Sequence, residues 1–316
     1  MVAGGSIDIT VVIVNWNTKG LVLECLSRVY ETLDSPAYEV FVVDNASADG
    51  SVASVRKRYP GVNLIVNPRN FGYASACNQA LRRMKGRYAL LLNTDALPEK
   101  GAVKRLFDFM EKTASAGMTC AQLLHSDGRC QNSAAPFPSW VTLLTNEGIA
   151  RALFPSRFTG KRHTETDPVE VDSCIGACMM VRKSAMDAVG LLDERYFFFF
   201  EETDWALRMH RAGWKIFFIP EAEVIHRQGQ SVGSGAESRK LFYRARYAYF
   251  RKWHPRWFWI IYALVFLRLL VNAVLTALGV FLTLGLAGEL RRRLGVYLKL
   301  IAWHLTGCPT PISICR

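Results

Sequence analysis

Two groups of polar side chains have the types and spacing to bind a cation or to move a proton. In the first, Asn93 and Asp95 bracket one residue directly after the apolar run ALLL. Side-chain oxygens at the end of a buried strand are ligands that Mg²⁺ and Mn²⁺ prefer. An Asp here could equally cap a helix that begins near Pro98. Spacing alone leaves both interpretations open.

The second group is Glu201, Glu202 and Asp204, which follow four consecutive phenylalanines. Carboxylates are electrostatically favoured at the start of a helix, and this is one interpretation. The other is a general base, because burial among aromatic rings and mutual repulsion would raise the pKa of a carboxylate towards neutral pH. Downstream, His226 could be a metal ligand, although the sequence alone favours a core histidine.

Asp44 ends another predicted strand, in the run VVDNASADGS. Its carboxylate could accept a hydrogen bond from the imide N–H of a uracil or thymine base. The alternative is an Asx-turn in a tight loop, and for Asn45, Ser47 and Asp49 the turn is the better explanation.

The run NPRNFG places Asn70 and Gly72 where a loop enters a predicted helix. Free backbone N–H groups and the helix dipole favour phosphate at such a junction. The sequence contains neither GxGxxG nor GxxxxGK[ST], so it supports neither a dinucleotide-binding fingerprint nor a P-loop.

The segments that must position these residues alternate between strand and helix patterns. We predict strands at 7–14, 40–43, 63–66 and 88–92, and helices at 19–33, 51–59, 73–84 and 98–112. This alternation is typical of an α/β fold built on a parallel sheet. Each strand runs into a polar loop at its C-terminal end, which is the edge where open α/β sheets bind ligands.

Residues 132–170 have the composition of a loop-rich insertion. Regular patterns then return as a strand at 177–181, a short helix ended by Gly190, a helix at 203–212, and strands at 215–219 and 223–226. We expect this first domain to extend over residues 1–238.

The net charge of +12 lies in the remaining segment, residues 239–316. That segment has thirteen Lys or Arg against one acid, whereas the first 238 residues have 26 basic and 26 acidic side chains. Residues 239–257 interleave basic and aromatic side chains, and residues 258–288 are apolar apart from Arg268 and Asn272. We therefore predict a C-terminal membrane-associated helical segment.

Residues 269–288 carry no charge and are long enough, at about 30 Å as a helix, to span a bilayer once. A single span would separate the basic stretch from Arg291, Arg292 and Arg293, although positive flanks belong on the cytoplasmic side. Residues 294–305 add an apolar stripe suited to the membrane interface. Of a monotopic and a single-span attachment, we favour the monotopic one, with both ends on the cytoplasmic side.

The cysteines and the N-terminus indicate a chain that stays in a reducing compartment. The eight cysteines form neither a CxxC zinc pattern nor a dense disulfide framework, so we expect reduced thiols. The N-terminal residues lack a basic region, and Asp8 interrupts their apolar run, so they predict a first strand and not a signal peptide. We expect that the chain is not exported.

Eight motifs occur in a fixed order over about residues 7–256: VVIVNWN, VVDNASADGS, NFGYASACN, LLNTDA, GACMMVRKSAMDAVGLLDERYFFFFEETDWALR, GW, IPEAEVIH and YRARYAYFRKWHP. Each is weak alone, but the ordered set is specific. It resembles the family 2 glycosyltransferases of the GT-A fold, and among them the rhamnosyltransferase-like group of bacterial polysaccharide and O-antigen biosynthesis. The resemblance implies a Rossmann-like α/β fold, with a mixed sheet flanked by helices.

The resemblance also implies roles in donor binding for residues at matching positions. Trp16 and Asp44 would hold the nucleotide base, with Val14 beside them. The nucleotide-sugar pocket would be lined by Asn70 and Gly72, and also by Asn93.

The family's metal and acid–base residues are matched as well. Asp95 would be the metal-binding carboxylate of the DxD element, whose first Asp is Asn93 here, and His226 would be an additional metal contact. The usual base is the second residue of an acidic pair, which is Glu202 here. Because Glu replaces the usual Asp, Glu201 and Asp204 stay open as alternatives.

The implied activity is inverting glycosyl transfer with Mg²⁺ or Mn²⁺ as cofactor. The donor would be a dTDP- or UDP-linked sugar such as L-rhamnose. The acceptor would be a polyprenyl-diphosphate-linked saccharide at the cytoplasmic face of the plasma membrane.

Three alternatives stand beside this interpretation. A processive polysaccharide synthase would need several membrane spans and a QxxRW signature, and neither occurs in the sequence. A nucleic-acid-binding protein is suggested by residues 239–257, but the apolar run that follows fits a membrane better, so we expect no nucleic-acid partner. A catalytically weak or inactive nucleotide-sugar-binding subunit is suggested by Asn93 and by Glu202 in place of Asp.

Overall fold

The computed structural model describes residues 6–33, 35–139, 166–229 and 235–309. The chain divides into two compact units. We call residues 1–137, 156–197 and 201–231 the sheet unit, and residues 138–155, 198–200 and 232–316 the helical unit. All the predicted nucleotide, metal and acid–base residues lie in the sheet unit.

The described part of the sheet unit contains eleven strands: β1 Ile9–Asn15, β2 Tyr38–Asp44, β3 Asn63–Val66, β4 Tyr88–Asn93, β5 Ala96–Pro98, β6 Ala116–Leu124, β7 Ala134–Ala135, β8 Val169–Glu170, β9 Ser173–Cys174, β10 Cys178–Arg182 and β11 Lys215–His226. The main sheet has the order β3-β2-β1-β4-β10-β6-β11-β5, with β8 added to β11, while β7 and β9 pair separately. The strands β3, β2, β1 and β4 are parallel, whereas β10 runs antiparallel between β4 and β6. The predicted mixed α/β sheet is therefore confirmed.

The described residues of the sheet unit include six helices: α1 Lys19–Thr32, α2 Ser51–Arg58, α3 Tyr73–Leu81, α4 Ala102–Lys112, α5 Lys183–Val189 and α6 Glu201–Arg211. In α1, Val22, Leu26 and Val29 recur at helical spacing and are buried, which explains why the sequence predicted this helix. They pack in one core with alternate residues of β1 and with apolar residues of α4. The central strands are buried almost completely, which explains their continuous apolar runs.

The segment after Asp95 differs from the prediction. Ala96–Pro98 is a strand that pairs antiparallel with the end of β11, where His226 lies opposite Ala96. The helix α4 begins only at Ala102, after Gly101 in the left-handed region. Capping of this helix by Asp95 is therefore wrong, because a strand and a turn separate the two. The pairing partner lies far along the chain, so the local sequence gives no signal of it.

Two further boundaries change near the site. The strands predicted at 215–219 and 223–226 are one strand, β11, with an irregularity in pairing between Ile219 and Glu223. The helix α6 begins at Glu201, two residues earlier than predicted, so Glu201 and Glu202 occupy its first turn. Most of the insertion predicted at 132–170 lies outside the described residues.

The helical unit contains α7 Ala236–Trp253, a 3₁₀ turn Pro255–Trp257, α8 Phe258–Leu282 and α9 Gly288–Leu305. The helices α8 and α9 form an antiparallel hairpin. Near one end Tyr262 OH donates to the carbonyl of His304 (3.0 Å), and near the other Gly279 faces Leu290. The uncharged run 269–288 is not one helix, because the chain turns at 283–287 with Leu284 and Gly285 at positive φ.

Arg182 at the end of β10 ties the antiparallel strand to its surroundings. Its guanidinium donates to the backbone carbonyls of Ala116, Met110 and Thr113 and to the hydroxyl of Tyr88. These bonds hold β10 in place beside β4, whose C-terminal end carries the first polar group of the site.

We predict that Arg182→Met destabilises the sheet unit, since hydrogen bonds to charged groups contribute about 1.5–3 kcal/mol each. The melting temperature of the detergent-solubilised chain, followed by circular dichroism, should fall by roughly 5 °C or more. Lys183→Met is the matched control, because this neighbouring side chain is exposed and pairs with Asp187 in solvent. Equal melting temperatures for the two variants would contradict the assignment.

Candidate active site

The C-terminal ends of three adjacent strands bring the first site residues to one edge of the sheet. Asn15 of β1 pairs in register with Asp44 of β2, while Val14 pairs with Asn93 of β4. Parallel strands end at the same edge, so their polar termini converge there. Val14 and Trp16 are half-buried at this edge, and Trp16 directly follows β1.

Asp44 is held as an oriented acceptor at this edge. It is 1% exposed, Asn15 Nδ2 donates to its Oδ2 (2.7 Å), and the backbone N–H of Ser47 donates to its Oδ1 (2.8 Å). The turn bond to Ser47 is thus made by Asp44 itself. Each carboxylate oxygen keeps further lone-pair capacity, so both the turn and the base-binding interpretations fit.

Asn45 does not take part in a local turn, contrary to prediction, but links two loops. Its Nδ2 donates to the carbonyl of Gly72 (3.2 Å), and its Oδ1 accepts from Asn67 Nδ2 (2.9 Å). Asp49 does form the expected short-range bonds, accepting from the backbone N–H of Ser51 (3.0 Å). The loops that follow β2 and β3 are therefore fixed to each other by amide side chains.

In the loop at Asn70 and Gly72, backbone N–H groups that could bind phosphate donate to acceptors within the protein. The N–H of Gly72 donates to Asn70 Oδ1 (2.9 Å), and the N–H of Tyr73 donates to the carbonyl of Phe197 (2.7 Å). The N–H groups of Gly72 and Tyr73 therefore already have acceptors within the protein. Gly72 has a φ of +85°, and a Cβ there would lie 2.6 Å from the Phe197 oxygen, so only glycine fits.

Asp95 and His226 are brought together by the pairing of β5 with β11. Asp95 is 1% exposed and His226 is 8% exposed, and His226 Nε2 lies 3.7 Å from Asp95 Oδ1. The backbone is fixed at the same point, where the N–H of Arg227 donates to the carbonyl of Asp95 (2.9 Å). Burial lowers the pKa of His226, against the opposing effect of the Asp95 charge, so the imidazole is neutral near pH 7.

This pair fits a divalent cation by the chemistry of its donors. A carboxylate oxygen faces the ring nitrogen of a neutral imidazole, and Asn93, two residues before Asp95 in the chain, is a further residue with an amide oxygen. Mg²⁺ and Mn²⁺ take oxygen and imidazole ligands. Within the described ranges no group of three His, Cys, Asp or Glu residues could hold a metal. A cation here would therefore need further ligands from a bound substrate or from water.

The three acidic residues of α6 lie in three different environments. Asp204 is fully buried, accepts from Arg208 Nε (2.9 Å) and also from Tyr196 OH (3.3 Å), so it belongs to the helix framework. Glu201 is 5% exposed, and no hydrogen bond to its Oε2 is present in the described part of the chain. Burial, and then the charge of Glu202, raises the pKa of Glu201 well above its usual range.

Glu202 is the half-buried member of the set. Its Oε1 accepts from Thr203 Oγ1 (3.2 Å), and its side chain passes beside Gly176, whose Cβ would lie 3.7 Å from Glu202 Cγ. The residue after Gly176 is bonded to the strand of the candidate metal site, because the N–H of Asn93 donates to the carbonyl of Ala177 (2.9 Å). Glu202 is thereby connected to the edge that carries Asn93 and Asp95.

Gln131 is a further residue of the site, which no sequence motif identifies. Its Oε1 lies 2.9 Å from His226 Nδ1, and its Nε2 donates to the carbonyl of His226 (2.5 Å). Gln131 is 8% exposed and lies in a segment without strand or helix periodicity. No local signal pointed to it, since its partner is on β11.

Comparison with known proteins identifies the family of the chain. The family model "Glycosyl transferase family 2" matches residues 10–190. The chain is 30% identical over 237 residues to the N-acetylglucosaminyl-diphospho-decaprenol L-rhamnosyltransferase of Mycobacterium tuberculosis, covering 69% of this chain and 76% of that protein. It is 25% identical over 204 residues to the rhamnosyltransferase WbbL of Escherichia coli K12, covering 61% of this chain and 74% of that one.

A solved structure shares the fold. Mannosyltransferase PcManGT from Pyrobaculum calidifontis, in complex with GDP-Man and Mn²⁺, superposes with a TM-score of 0.57 at 18% identity, over 94% of this chain and 86% of that one. The family model covers more than half of the chain, and the mycobacterial relative matches more than two thirds of it. The chain therefore belongs to glycosyl transferase family 2 and has the GT-A fold.

Proposed function

We propose that the protein is an inverting, metal-dependent glycosyltransferase that moves L-rhamnose from a dTDP- or UDP-linked donor to a polyprenyl-diphosphate-linked saccharide. The observation that carries the proposal is the meeting of Asp95 and His226 at the sheet edge, with Glu202 connected to that edge through Gly176 and Ala177. The printed name of the mycobacterial relative supports the sugar and the lipid-linked acceptor. The Mn²⁺ in the archaeal structure supports the metal.

In this mechanism the donor lies across the strand ends. Asp44 accepts a hydrogen bond from the base and Trp16 packs beside it. Asp95 and His226 would hold the cation, with Asn93 as a further oxygen donor. A divalent cation supplies charge neutralisation for the departing diphosphate. The acceptor oxygen bonds to the anomeric carbon as the bond from that carbon to the diphosphate oxygen breaks, so the configuration inverts.

Glu202 fits the role of general base better than its neighbours. The proton of the acceptor hydroxyl must go to a carboxylate that is ionised and can be reached by the substrate. Glu201 is buried with a raised pKa, and Asp204 is buried and paired with Arg208. Different environments for adjacent carboxylates are the usual way to separate such roles.

The helical unit fits attachment to one leaflet of a membrane. One helical segment, Pro255–Leu282, is long and apolar enough to cross a bilayer, and it is mostly exposed. Its outer side chains include Trp259, Leu275, Phe281 and Leu282, which are 61–79% exposed. Several exposed apolar side chains on one helix indicate a site that binds a membrane or another protein. The basic residues beside them favour an anionic lipid surface.

The hairpin argues against a single span. If α8 crossed the bilayer, α9 packed antiparallel along it would carry Arg291, Arg292, Arg293 and Lys299 into or across the hydrocarbon. Arg292 and Arg293 both pair with Glu289 but stay 60–69% exposed. Charged side chains cost several kcal/mol at the bilayer centre, about 2.5–3.5 kcal/mol for each Arg on insertion scales. We propose that the hairpin lies in the cytoplasmic leaflet.

The metal site is tested by Asp95→Ala. Loss of the carboxylate should weaken Mn²⁺-dependent binding of the sugar nucleotide by at least about 10-fold, towards the affinity in EDTA. Calorimetry with UDP- and dTDP-sugars, with and without Mn²⁺, measures this directly. The control is Asp187→Ala, which removes an exposed carboxylate of α5. Unchanged affinity in Mn²⁺ would remove Asp95 from the site.

The base is tested by three variants assayed together. Glu202→Gln should keep donor affinity and lower kcat by about 10²-fold or more, the usual scale for losing a general base. Glu201→Gln should keep most of the activity, because burial raises the pKa of Glu201 well above its usual range and so disfavours the charged form that a base needs. Asp204→Asn should mainly lower stability, by about 3 kcal/mol, as expected for a broken buried ion pair. An active Glu202→Gln would show that another group takes the proton.

Membrane attachment is tested by Arg292→Cys. A monotopic hairpin keeps this position on the cytoplasmic side, so a membrane-impermeant thiol reagent should label it only after intact cells are permeabilised. Lys57→Cys, exposed on α2, is the control for a cytoplasmic position, and the parent chain gives the background from native cysteines. Labelling of Arg292→Cys alone in intact cells would show that α8 spans.

A further inference from the structure

Gln131 connects three elements around the candidate metal site. Its Nε2 lies within hydrogen-bond distance of the carbonyls of His226 (2.5 Å) and Leu124 (3.2 Å) and of His125 Nδ1 (3.1 Å). Its Oε1 lies 2.9 Å from His226 Nδ1. The side chain is buried, so these protein groups are its partners.

The orientation of the Gln131 amide follows from the two backbone carbonyls. A carbonyl can only accept a hydrogen bond, so the group facing His226 O and Leu124 O must be the NH₂. The amide oxygen must then face His226 Nδ1. A reversed amide would place its oxygen against two carbonyl oxygens and leave buried acceptors unsatisfied, at a cost of about 1–3 kcal/mol for each group.

The protonation of His226 follows in turn. An amide oxygen has no hydrogen to donate, so His226 Nδ1 must carry the proton. In the neutral ring the other nitrogen, Nε2, then has a lone pair, and it is Nε2 that lies 3.7 Å from Asp95 Oδ1. The other charged or titratable group at this point is His125, which accepts from Gln131 through its own Nδ1.

We infer that Gln131 is a positioning residue that fixes His226 in the Nδ1–H tautomer, with the Nε2 lone pair directed at the metal ion. The inference rests on the proposed metal site and deepens it. Metal-bound histidines commonly donate their second N–H to a protein acceptor, which sets both tautomer and ring orientation. In this chain the acceptor is an amide on the segment after β6, and the same amide also binds the His226 backbone. Gln131 therefore holds His226 at two points, the ring Nδ1 and the backbone carbonyl.

The tautomer can be measured without metal. The full chain, labelled with ¹⁵N-histidine and kept in EDTA, should show for His226 a protonated Nδ1 and an unprotonated Nε2, a signal set that His226→Asn removes. His304, whose Nδ1 faces the carbonyl of Leu300 (2.8 Å), should give a second set of this kind that stays in the variant. An Nε2–H tautomer or a doubly protonated ring for His226 near pH 7 would overturn the inference.

The positioning role is measured by metal binding. Gln131→Met keeps the volume and removes the acceptor, and it should weaken Mn²⁺ affinity by about 10- to 100-fold. Gln131→Glu keeps an acceptor oxygen, and in its neutral form an O–H replaces the N–H, so it should restore both the tautomer and the affinity. Gln79→Met on α3 is the control for the same substitution elsewhere.

The outcomes separate this inference from the proposed function. Wild-type Mn²⁺ affinity retained in Gln131→Met, with the fold intact by circular dichroism, overturns the positioning role alone. A wild-type chain that binds no Mn²⁺, with or without UDP, overturns the metal site, and the role of Gln131 towards a metal falls with it. If Gln131→Met does not fold, Gln131→Glu is compared with the wild type instead. A changed tautomer of His226 together with an unchanged Mn²⁺ affinity would then overturn the inference.

Discussion

The arrangement of the site depends on a buried carboxylate beside a buried, neutral imidazole. Asp95 and His226 are almost inaccessible to solvent, and their nearest polar atoms lie 3.7 Å apart. A charge is costly to bury unless other groups compensate it, so a fold that places a carboxylate here must hold a cation or hydrogen-bond donors around it. The strand β5, the end of β11 and the amide of Gln131 all serve to keep this pair in place.

Mutual repulsion among the carboxylates at the start of α6 is a second electrostatic constraint on the site. Three carboxylates within four residues repel one another, and the chain separates them by environment. Asp204 pairs with Arg208, and burial raises the pKa of Glu201 well above its usual range. Glu202 is half-buried and accepts a hydrogen bond from Thr203. Just before this turn, Phe199 and Phe200 have φ values of 72° and 69°, a backbone conformation that costs roughly 1–2 kcal/mol for each residue. Within the helical unit their rings pack against Phe242 and Tyr249.

The sequence was sufficient where a structure depends on local periodicity. The strands β1 to β4 and the helices α1 to α3 lie within a few residues of their predicted positions, because apolar spacing and turn residues define them. Asp44 and Asp95 were selected from the sequence because Asp44 ends a buried strand and Asp95 follows one by two residues. The strand β5 was missed because LPEKG has the composition of a helix start, and only pairing with the distant β11 makes it extended. Gln131 was missed for the same reason, because its partner His226 is on the distant β11. Glu201, Glu202 and Asp204 differ in burial, which depends on residues far along the chain and cannot be predicted from local spacing.

We propose that Asp95 and His226 bind the same divalent cation. Anomalous diffraction is the most direct test of this arrangement. Crystals grown with Mn²⁺ and a nucleoside diphosphate would be measured at the manganese absorption edge. We expect a single strong anomalous peak within about 2.0–2.4 Å of a carboxylate oxygen of Asp95 and of His226 Nε2, with His226 Nδ1 facing Gln131. A peak bound only by the diphosphate and distant from both side chains, or a His226 ring that presents Nδ1 to the metal, would contradict it.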